Sequence, residues 1–325
     1  MIDRRRFLAA TLGTAALPGA LAQGVASAAA QAAAPAWQPN RIVQIFVGFQ
    51  AGGGTDVIAR LYAAAADEIS PVKFVVVNRP GGAGAIAADV VAHLEPDGYT
   101  LLLGGGSEST TLPHYTKLNY KLADFAAIGR VNREHMVLVT SRKGPYDSLD
   151  ALVKAAKANP GKISYGSSGV GGILHAGFEA FEKAADIKLN HVPYRGGADA
   201  FKDVLSGNID MTLVIPAEAK AQAEAGNAWI LATFSDRSAI LPDVKGVSEL
   251  GFAMSMDNMK GLLISSRTPE PIIRWHRETF DRVMKSDRMA ELARKMNVEL
   301  GYLDAAAFMK AMADTSSQVQ SLRKE

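Results

Sequence analysis

From Arg41 onward, short apolar segments alternate with longer segments of helical character. Most of the apolar segments lack two-residue alternation, which is typical of parallel strands buried on both faces. This pattern continues for more than 200 residues and predicts an α/β fold of doubly wound layers. The predicted strands are 42–47, 73–77, 100–104, 136–140, 163–165, 189–192, 210–215, 229–233 and 261–265. The predicted helices are 55–69, 84–94, 148–158, 172–185, 197–206, 216–225, 269–285, 287–295 and 304–322.

A glycine-rich turn connects the first predicted strand to the first predicted helix. Residues 52–54 are three glycines, which permit backbone angles that are closed to other residues. Thr55 or Asp56 can cap the helix that follows. The unpaired N–H groups of the first helical turn, together with the helix dipole, attract a small anion such as a carboxylate or a phosphate. The alternative is a tight connection that binds no ligand.

A second turn of the same kind lies at residues 165–172, again between a predicted strand and a predicted helix. Ligands of doubly wound sheets bind beyond the carboxyl ends of the strands, so we expect both turns to face one cleft. Ser167 and Ser168 lie in this second turn, and His175 follows three residues into the helix. His175 is either a ligand contact or a packed helix residue.

The first 28 residues are predicted to be an export signal. Arg4-Arg5-Arg6 precedes Phe7-Leu8 and an apolar stretch too short to anchor the chain in a membrane. The arginine pattern suits the twin-arginine route, which exports folded proteins. Residues 29–39 lack a packing pattern and are interpreted as a spacer. We therefore expect a periplasmic protein.

The charge balance argues against a nucleic-acid partner. The chain has 35 Lys and Arg and 33 Asp and Glu, and removal of three Arg and one Asp with the signal leaves 32 of each. The excess of positive charge disappears, and with it the reason to expect nucleic acid or an anionic membrane surface. The chain has no cysteine, so disulfides are excluded and the core alone must stabilise a mature chain large enough for two lobes.

Glycine-rich segments also follow two other predicted strands. Residues 82–87 contain the pattern G-x-G-x-x-A, but no acidic residue for a ribose ends the next strand, so a turn facing the cleft or simple packing is favoured over dinucleotide binding. Residues 104–109 form a polar, glycine-rich segment directly after a predicted strand, and Ser107 in this segment can line the cleft or cap a helix.

Motifs of catalysis are missing from the sequence. No G-x-S-x-G or P-loop pattern is present, and no close histidine pair suggests a metal site among His93, His114, His135, His175, His191 and His276. We therefore expect no enzyme activity, no cofactor and no metal. Arg195, beside Tyr194, can pair with a carboxylate or lie in a solvated surface turn. Glu218 lies in a helical turn that can face the cleft.

Five ordered segments resemble the Bug family, the periplasmic substrate-binding proteins of tripartite tricarboxylate transporters. They are GFQAGGGTDVIAR (48–60), VVVNRPGGAG (75–84), PDGYTLL (96–102), YGSSG (165–169) and HVPYRG (191–196). The resemblance spans residues 40 to about 322. It implies a type II-like venus-flytrap architecture of two doubly wound α/β lobes that the chain crosses twice. Because the two glycine turns must face each other to bind one ligand, we predict lobe 1 at 40–138 plus 262–325 and lobe 2 at 139–261.

The resemblance also implies that the loops at 52–56 and 166–171 hold a carboxylate between the lobes. The sequence departs from the family pattern at 48–51, where prolines are usual, and at 257–259, where an aromatic pair is usual. The family resemblance is therefore least informative about the far end of the pocket, which selects the ligand. The predicted ligand-binding residues are Phe49, Gln50, Gly53, Gly54, Thr55, Asp56, Ser107, Ser167, Ser168, Gly169, Gly171, His175, Tyr194, Arg195 and Glu218.

These patterns predict a monomeric, non-enzymatic binding protein that delivers a small carboxylate to a membrane permease. The alternatives are an exported cofactor-dependent oxidoreductase and a ligand-sensing partner of an envelope receptor. Within the site we expect Asp56 to discriminate among acids by holding an ammonium or hydroxyl group of the ligand. The simpler alternative for Asp56 is a stabilising role at the helix N-terminus.

Overall fold

The computed structural model describes residues 37–324, so the predicted export signal and most of the spacer lie outside the described residues. The strands are β1 (Val43–Val47), β2 (Phe74–Asn78), β3 (Thr100–Gly104), β4 (Phe125–His135), β5 (Val137–Ser141), β6 (Ser164–Ser167), β7 (Asn190–Pro193), β8 (Met211–Val214), β9 (Ala228–Thr233), β10 (Asp257–Ser265) and β11 (Leu300–Leu303). The helices are α1 (Gly54–Ala66), α2 (Ala85–His93), α3 (Leu149–Ala158), α4 (Ile173–Ala185), α5 (Gly197–Ser206), α6 (Pro216–Glu224), α7 (Glu270–Met284), α8 (Asp287–Lys295) and α9 (Ala305–Arg323). Within this described range no helix has the length and apolar character that a membrane span requires.

The strands form two mixed sheets, one in each lobe of a two-lobe α/β fold. The first sheet has the order β11-β4-β10-β3-β1-β2, in which β1, β2 and β3 are parallel and β10 is antiparallel to both β3 and β4. The second sheet has the order β7-β6-β8-β5-β9, in which β6 is parallel to β7 and β8, and β5 is antiparallel to β8 and β9.

Helices cover both faces of each sheet. In β1, Ile45 packs into a core shared with α1, α7 and α8, while its neighbour Phe46 packs on the opposite face with α2 and α9. In β5, Leu138 packs with α3 and α4, and Val139 packs with α5 and α6. Successive residues of a strand point to opposite faces, so apolar residues at consecutive positions require this two-sided cover.

The chain passes between the sheets twice. It enters the second sheet between β4 and β5 and returns to the first between β9 and β10. The last helix, α9, packs against both lobes, because Phe308 and Met312 lie in a core of the first sheet and Val319 lies in a core of the second. The exact lobe boundaries, 40–138 with 262–325 and 139–261, stay a prediction.

All nine predicted helices are confirmed, with ends that shift by three residues at most. The parallel arrangement expected for most of the predicted strands is wrong for β5, β9 and β10, which pair antiparallel with their neighbours. Strands β4 and β11 were not predicted. The second half of β4 carries Arg130, Arg133 and Glu134, which interrupt an apolar pattern. The strand accommodates these charged side chains because they pair with residues distant in sequence. Arg130 Nε, for example, donates a hydrogen bond of 2.5 Å to Gly301 O.

The end of the predicted spacer is ordered against the first lobe, so the spacer interpretation is wrong at Trp37. The Trp37 ring makes edge contacts with Tyr99 and Trp275, at centroid distances of 5.6 and 5.5 Å. A partly buried aromatic cluster therefore begins at the first described residue, which no local packing pattern had indicated.

Candidate functional site

A cavity of about 360 Å³ lies between the two sheets. The carboxyl ends of β3 and β8 open toward it, as expected for ligand sites of doubly wound folds. The structure brings nine of the predicted residues together around this cavity. They are Phe49, Gln50, Gly53, Gly54, Thr55, Ser107, Ser168, Arg195 and Glu218.

A second cavity of about 740 Å³ adjoins the first and shares Phe49, Gln50, Ser168 and Arg195 with it. Gly169 and Tyr194 line this second cavity. The Tyr194 hydroxyl donates a hydrogen bond of 2.6 Å to Asp203 Oδ2, which fixes the ring at the cavity wall.

The glycine turn presents backbone donors to the cavity. Gly52 adopts a φ of +82°, and α1 begins at Gly54 with Gly53 at the N-cap position. Thr55 and Asp56 therefore do not cap the helix, contrary to the prediction. The first intrahelical hydrogen bond runs from Val57 N to Gly53 O at 3.0 Å. The N–H groups of residues 54–56 come before this bond and have no acceptor within the helix. The helix dipole stabilises a negative charge near them.

Asp56 supports the turn from behind and does not line the cavity. Its Oδ2 accepts hydrogen bonds from Gly52 N at 2.9 Å and Arg60 Nε at 2.8 Å, and its Oδ1 accepts one from Asn78 Nδ2 at 2.9 Å. Burial alone would raise the pKa of Asp56, but the bonds from Arg60, Gly52 and Asn78 lower it. The placement contradicts the expectation that Asp56 holds a group of the ligand, because its carboxylate oxygens are already occupied.

Ser167, Gly171 and His175 also lie outside both cavities. The buried Ser167 Oγ lies 2.6 Å from His191 Nε2, and Gly171 N donates to His175 Nδ1 at 3.2 Å. The rings of His175 and His191 stack with centroids 4.1 Å apart. Burial lowers the pKa of each histidine to about 4, with a smaller effect of Arg323 on His175 and of His175 on His191. These residues form a neutral packed layer behind the second turn rather than ligand contacts.

Ser107 joins the two lobes at the cavity edge. Its Oγ accepts a hydrogen bond of 2.9 Å from Ile173 N, the first N–H of α4. Nearby, Thr111 Oγ1 donates to Gly171 O at 2.6 Å. The second turn therefore uses part of its helix N-terminus to contact the other lobe, which leaves fewer donors for a ligand than the pattern had suggested.

A buried ion pair in the cavity wall was not predicted. Glu134 on β4 pairs with Lys260 on β10, and both residues are less than 10% exposed. Asn258 Nδ2 donates to Glu134 Oε2 at 3.0 Å. The sequence offered one indirect signal, since Asn258 lies in the segment 257–259 that departs from the Bug pattern.

Glu108 is a second buried acid that the sequence did not single out. It is 3% exposed, and its Oε1 accepts hydrogen bonds from Gly105 N at 2.9 Å and Ser109 Oγ at 2.7 Å. Burial raises the pKa of Glu108 despite these bonds. The side chain lines the cavity beside the glycine-rich exit of β3.

The N-terminus of α5 forms another part of the wall, with Gly196 at the N-cap position. Arg195 extends from this turn, and among the described residues its guanidinium has no hydrogen-bond or ion-pair partner. Lys202 and Asp199, one turn further along, pair with each other at 3.4 Å. Arg195 is therefore a cation available to a ligand.

Glu218 lies in the first turn of α6 at the other side of the cleft. Glu218 is an exposed residue that lines the cavity. Burial in the cleft raises the pKa of Glu218, the neighbouring Glu134 adds to this effect, and Ile215 N–H and Lys260 partly oppose it.

One group among the described residues has the spacing of metal ligands, namely His135, Asp236 and Asp257. Arg133 already donates from Nε to Asp257 Oδ2 at 2.6 Å and from Nη1 to Asp236 Oδ2 at 3.1 Å. A guanidinium in this position supplies the positive charge that a metal would bring. We interpret the group as an ion-pair network between the segments that connect the lobes.

Sequence comparison finds a match over residues 58–325 with the family described as "Tripartite tricarboxylate transporter family receptor". The "UPF0065 protein in gbd 5′ region" of Cupriavidus necator is 30% identical over 323 residues, which cover 99% of this chain and 97% of that protein. Protein BugT of Bordetella pertussis is 35% identical over 218 residues, which cover 66% of this chain and 67% of BugT.

Two solved structures share the fold. A TctC solute-binding protein from Polaromonas has a TM-score of 0.71 at 28% identity, covering 88% of this chain and 99% of that one. The protein Rpa4515 of R. palustris, solved with adipate, has a TM-score of 0.79 at 26% identity, covering 88% of this chain and 97% of that one.

Proposed function

The chain belongs to the tripartite tricarboxylate transporter receptor family, and from this premise we propose that it captures a small carboxylate between its lobes and delivers it to a membrane permease. The Rpa4515 structure contains adipate, which supports a carboxylate ligand for this chain as well. The twin-arginine pattern at residues 4–8 supports export to the periplasm. We propose that the protein acts there as a monomer and without catalysis.

One observation carries this proposal: the free cation of Arg195 and the first-turn donors of α1 line the same cavity. Backbone N–H groups at a helix N-terminus suit an anion and have little use for a cation. A guanidinium can bind a carboxylate through two parallel hydrogen bonds. We propose that the turn at 52–55, Ser168 and Arg195 together hold the ligand carboxylate.

The lobes would close over this carboxylate. The proposed lobes, 40–138 with 262–325 and 139–261, each supply part of the wall, since Gly53 belongs to one and Arg195 to the other. A ligand that contacts both parts stabilises the closed arrangement by its differential affinity for it. A permease would then recognise the closed, liganded protein.

A thermal-shift screen of mono-, di- and amino carboxylic acids, followed by calorimetry, tests the proposal. We expect at least one acid to raise the melting temperature and its uncharged amide to bind at least tenfold more weakly, since a ligand that binds only the folded state stabilises it. Neutral sugars serve as the control. Sugar binding without acid binding would contradict the carboxylate assignment.

A further inference from the structure

Glu218 differs from the other acids of the cavity because it lacks a side-chain partner among residues 37–324. The others are paired: Glu134 with Lys260, Asp199 with Lys202, and Glu108 with the Ser109 hydroxyl. The Ile215 N–H and the Lys260 charge act on Glu218, but no side-chain hydrogen bond or ion pair occupies its carboxylate, which is therefore open to a cation or a hydrogen-bond donor of a ligand.

The two unpaired charges of the cavity lie at different ends. Arg195 also lines the adjoining 740 Å³ cavity, together with Tyr194. Glu218 instead also lines a cavity of about 80 Å³, together with Gly54 and Glu134. The second and third cavities share no lining residue, so the cation marks one end of the central cavity and the carboxylate marks the other.

The local charge at the Glu218 end disfavours a second carboxylate on the ligand. Two cations line this end, and both are already paired: the Lys260 ammonium with Glu134, and the Arg133 guanidinium with Asp236 and Asp257. A ligand carboxylate beside Glu218 would compete for these cations against the acids of the protein. Like charges at close range in a partly dehydrated cleft repel each other strongly.

We infer that the ligand carries a protonated amino group, which pairs with Glu218, in addition to the carboxylate that the Arg195 side of the cavity receives. The chemical class is therefore an amino acid or another amino-substituted carboxylic acid, rather than a simple di- or tricarboxylate. This inference rests on the function proposed above. It gives Glu218 the selecting role that the sequence had suggested for Asp56.

Calorimetry with matched acids tests the inference. The pairs are L-norvaline with pentanoate, 5-aminopentanoate with pentanoate, and 4-(aminomethyl)benzoate with 4-methylbenzoate, and glutarate provides a dicarboxylate. In at least one pair we expect the amino acid to bind at least tenfold more tightly than its partner and than glutarate. In Glu218→Gln this preference should fall by at least tenfold, while the affinity for the partner without the amino group changes less than threefold.

Glu224→Gln is the matched control, because Glu224 lies exposed at the other end of α6 and the charge change is the same. It should leave every affinity unchanged. The inference is overturned if no amino acid is preferred in any pair, or if Glu218→Gln keeps the preference. Binding of acids without such a preference would leave the carboxylate function intact, whereas an absence of binding by every acid in the broader screen would contradict both proposals.

Discussion

The carboxylate of Asp56 accepts a hydrogen bond from the backbone N–H of Gly52, four residues earlier, at 2.9 Å. The same carboxylate accepts hydrogen bonds from Arg60 and Asn78, and Asn78 Nδ2 also donates to Phe49 O at 3.1 Å. Residues on both sides of the glycine turn are thus attached to one buried anion. This arrangement holds the turn in place before a ligand arrives.

Asp56→Asn should lower stability without changing ligand selectivity. An amide cannot accept all three hydrogen bonds of the carboxylate, and it loses the charge that pairs with Arg60, so we expect a loss of about 1–3 kcal/mol in the free energy of unfolding. Urea unfolding measures this loss, and calorimetry with an amino acid and its counterpart lacking the amino group measures selectivity. A several-fold change in the ratio of the two affinities would show that Asp56 contacts the ligand after all.

Arg195→Gln should weaken carboxylate binding and leave stability nearly unchanged. The guanidinium has no hydrogen-bond or ion-pair partner within residues 37–324, so its removal breaks no internal polar interaction. We expect at least a tenfold loss in affinity, about 1.4 kcal/mol, for any acid that binds. Arg274→Gln, an exposed arginine on α7, is the control for a change of net charge. Equal affinities for both variants would remove Arg195 from the site.

The Glu134–Lys260 pair should respond differently to single and double substitution. Lys260→Met leaves a buried carboxylate unpaired, which costs about 3–5 kcal/mol in comparable buried pairs. Glu134→Gln together with Lys260→Met removes both charges and keeps an acceptor for Asn258, so most of the loss should return. Chemical unfolding of both variants distinguishes these outcomes. Equal destabilisation would mean that packing of the lysine stem, rather than charge, dominates.

His276 should make the protein less stable in mild acid. Its Nε2 lies 2.8 Å from Gly98 O, and burial lowers its pKa to about 4 although this contact acts in the opposite direction. The unfolded histidine titrates near pH 6.5, so the unfolded state binds more protons as the pH falls from about 6.5 toward 4, and stability falls with it. Between pH 7 and pH 5 the expected contribution is about 2 kcal/mol.

His276→Gln retains a donor for Gly98 O but cannot titrate. Its loss of stability between pH 7 and pH 5 should therefore be smaller than that of the natural chain by about 2 kcal/mol. His93→Gln, at an exposed histidine of α2, should leave the loss unchanged. Urea unfolding at both pH values gives the comparison, and parallel pH profiles for all three proteins would contradict the assignment.

Binding of an amino acid ligand should weaken as the pH falls from 7 to 5. The pKa of Glu218 lies above its ordinary value because of burial and the nearby Glu134, so its proton returns earlier than for an exposed glutamate. A protonated Glu218 no longer attracts an ammonium. Calorimetry with 5-aminopentanoate across this range measures the effect, and Glu218→Gln should give a flatter profile. The same pH dependence in both proteins would assign the effect to another group.

Much of the cavity wall could be predicted because it depends on short-range sequence. Glycine turns after strands place backbone donors at helix N-termini whatever the distant partners are, and residues 52–55 illustrate this. Side chains within the same turns were harder to assign. Ser168 faces the cavity while Ser167 is buried against His191, because adjacent residues of a strand end point in opposite directions.

The amino-acid sequence by itself determined the order of the helices, the α/β class and the two turns that face the cleft, because these follow from local periodicity and from glycine's backbone freedom. Only the tertiary structure decided the strand directions, the pairing of Glu134 with Lys260 and the lack of a side-chain partner for Glu218. Residues 134 and 260 are distant in sequence and meet only where β4 and β10 lie side by side. Whether an acid is paired or free depends on such long-range contacts, which no local pattern records.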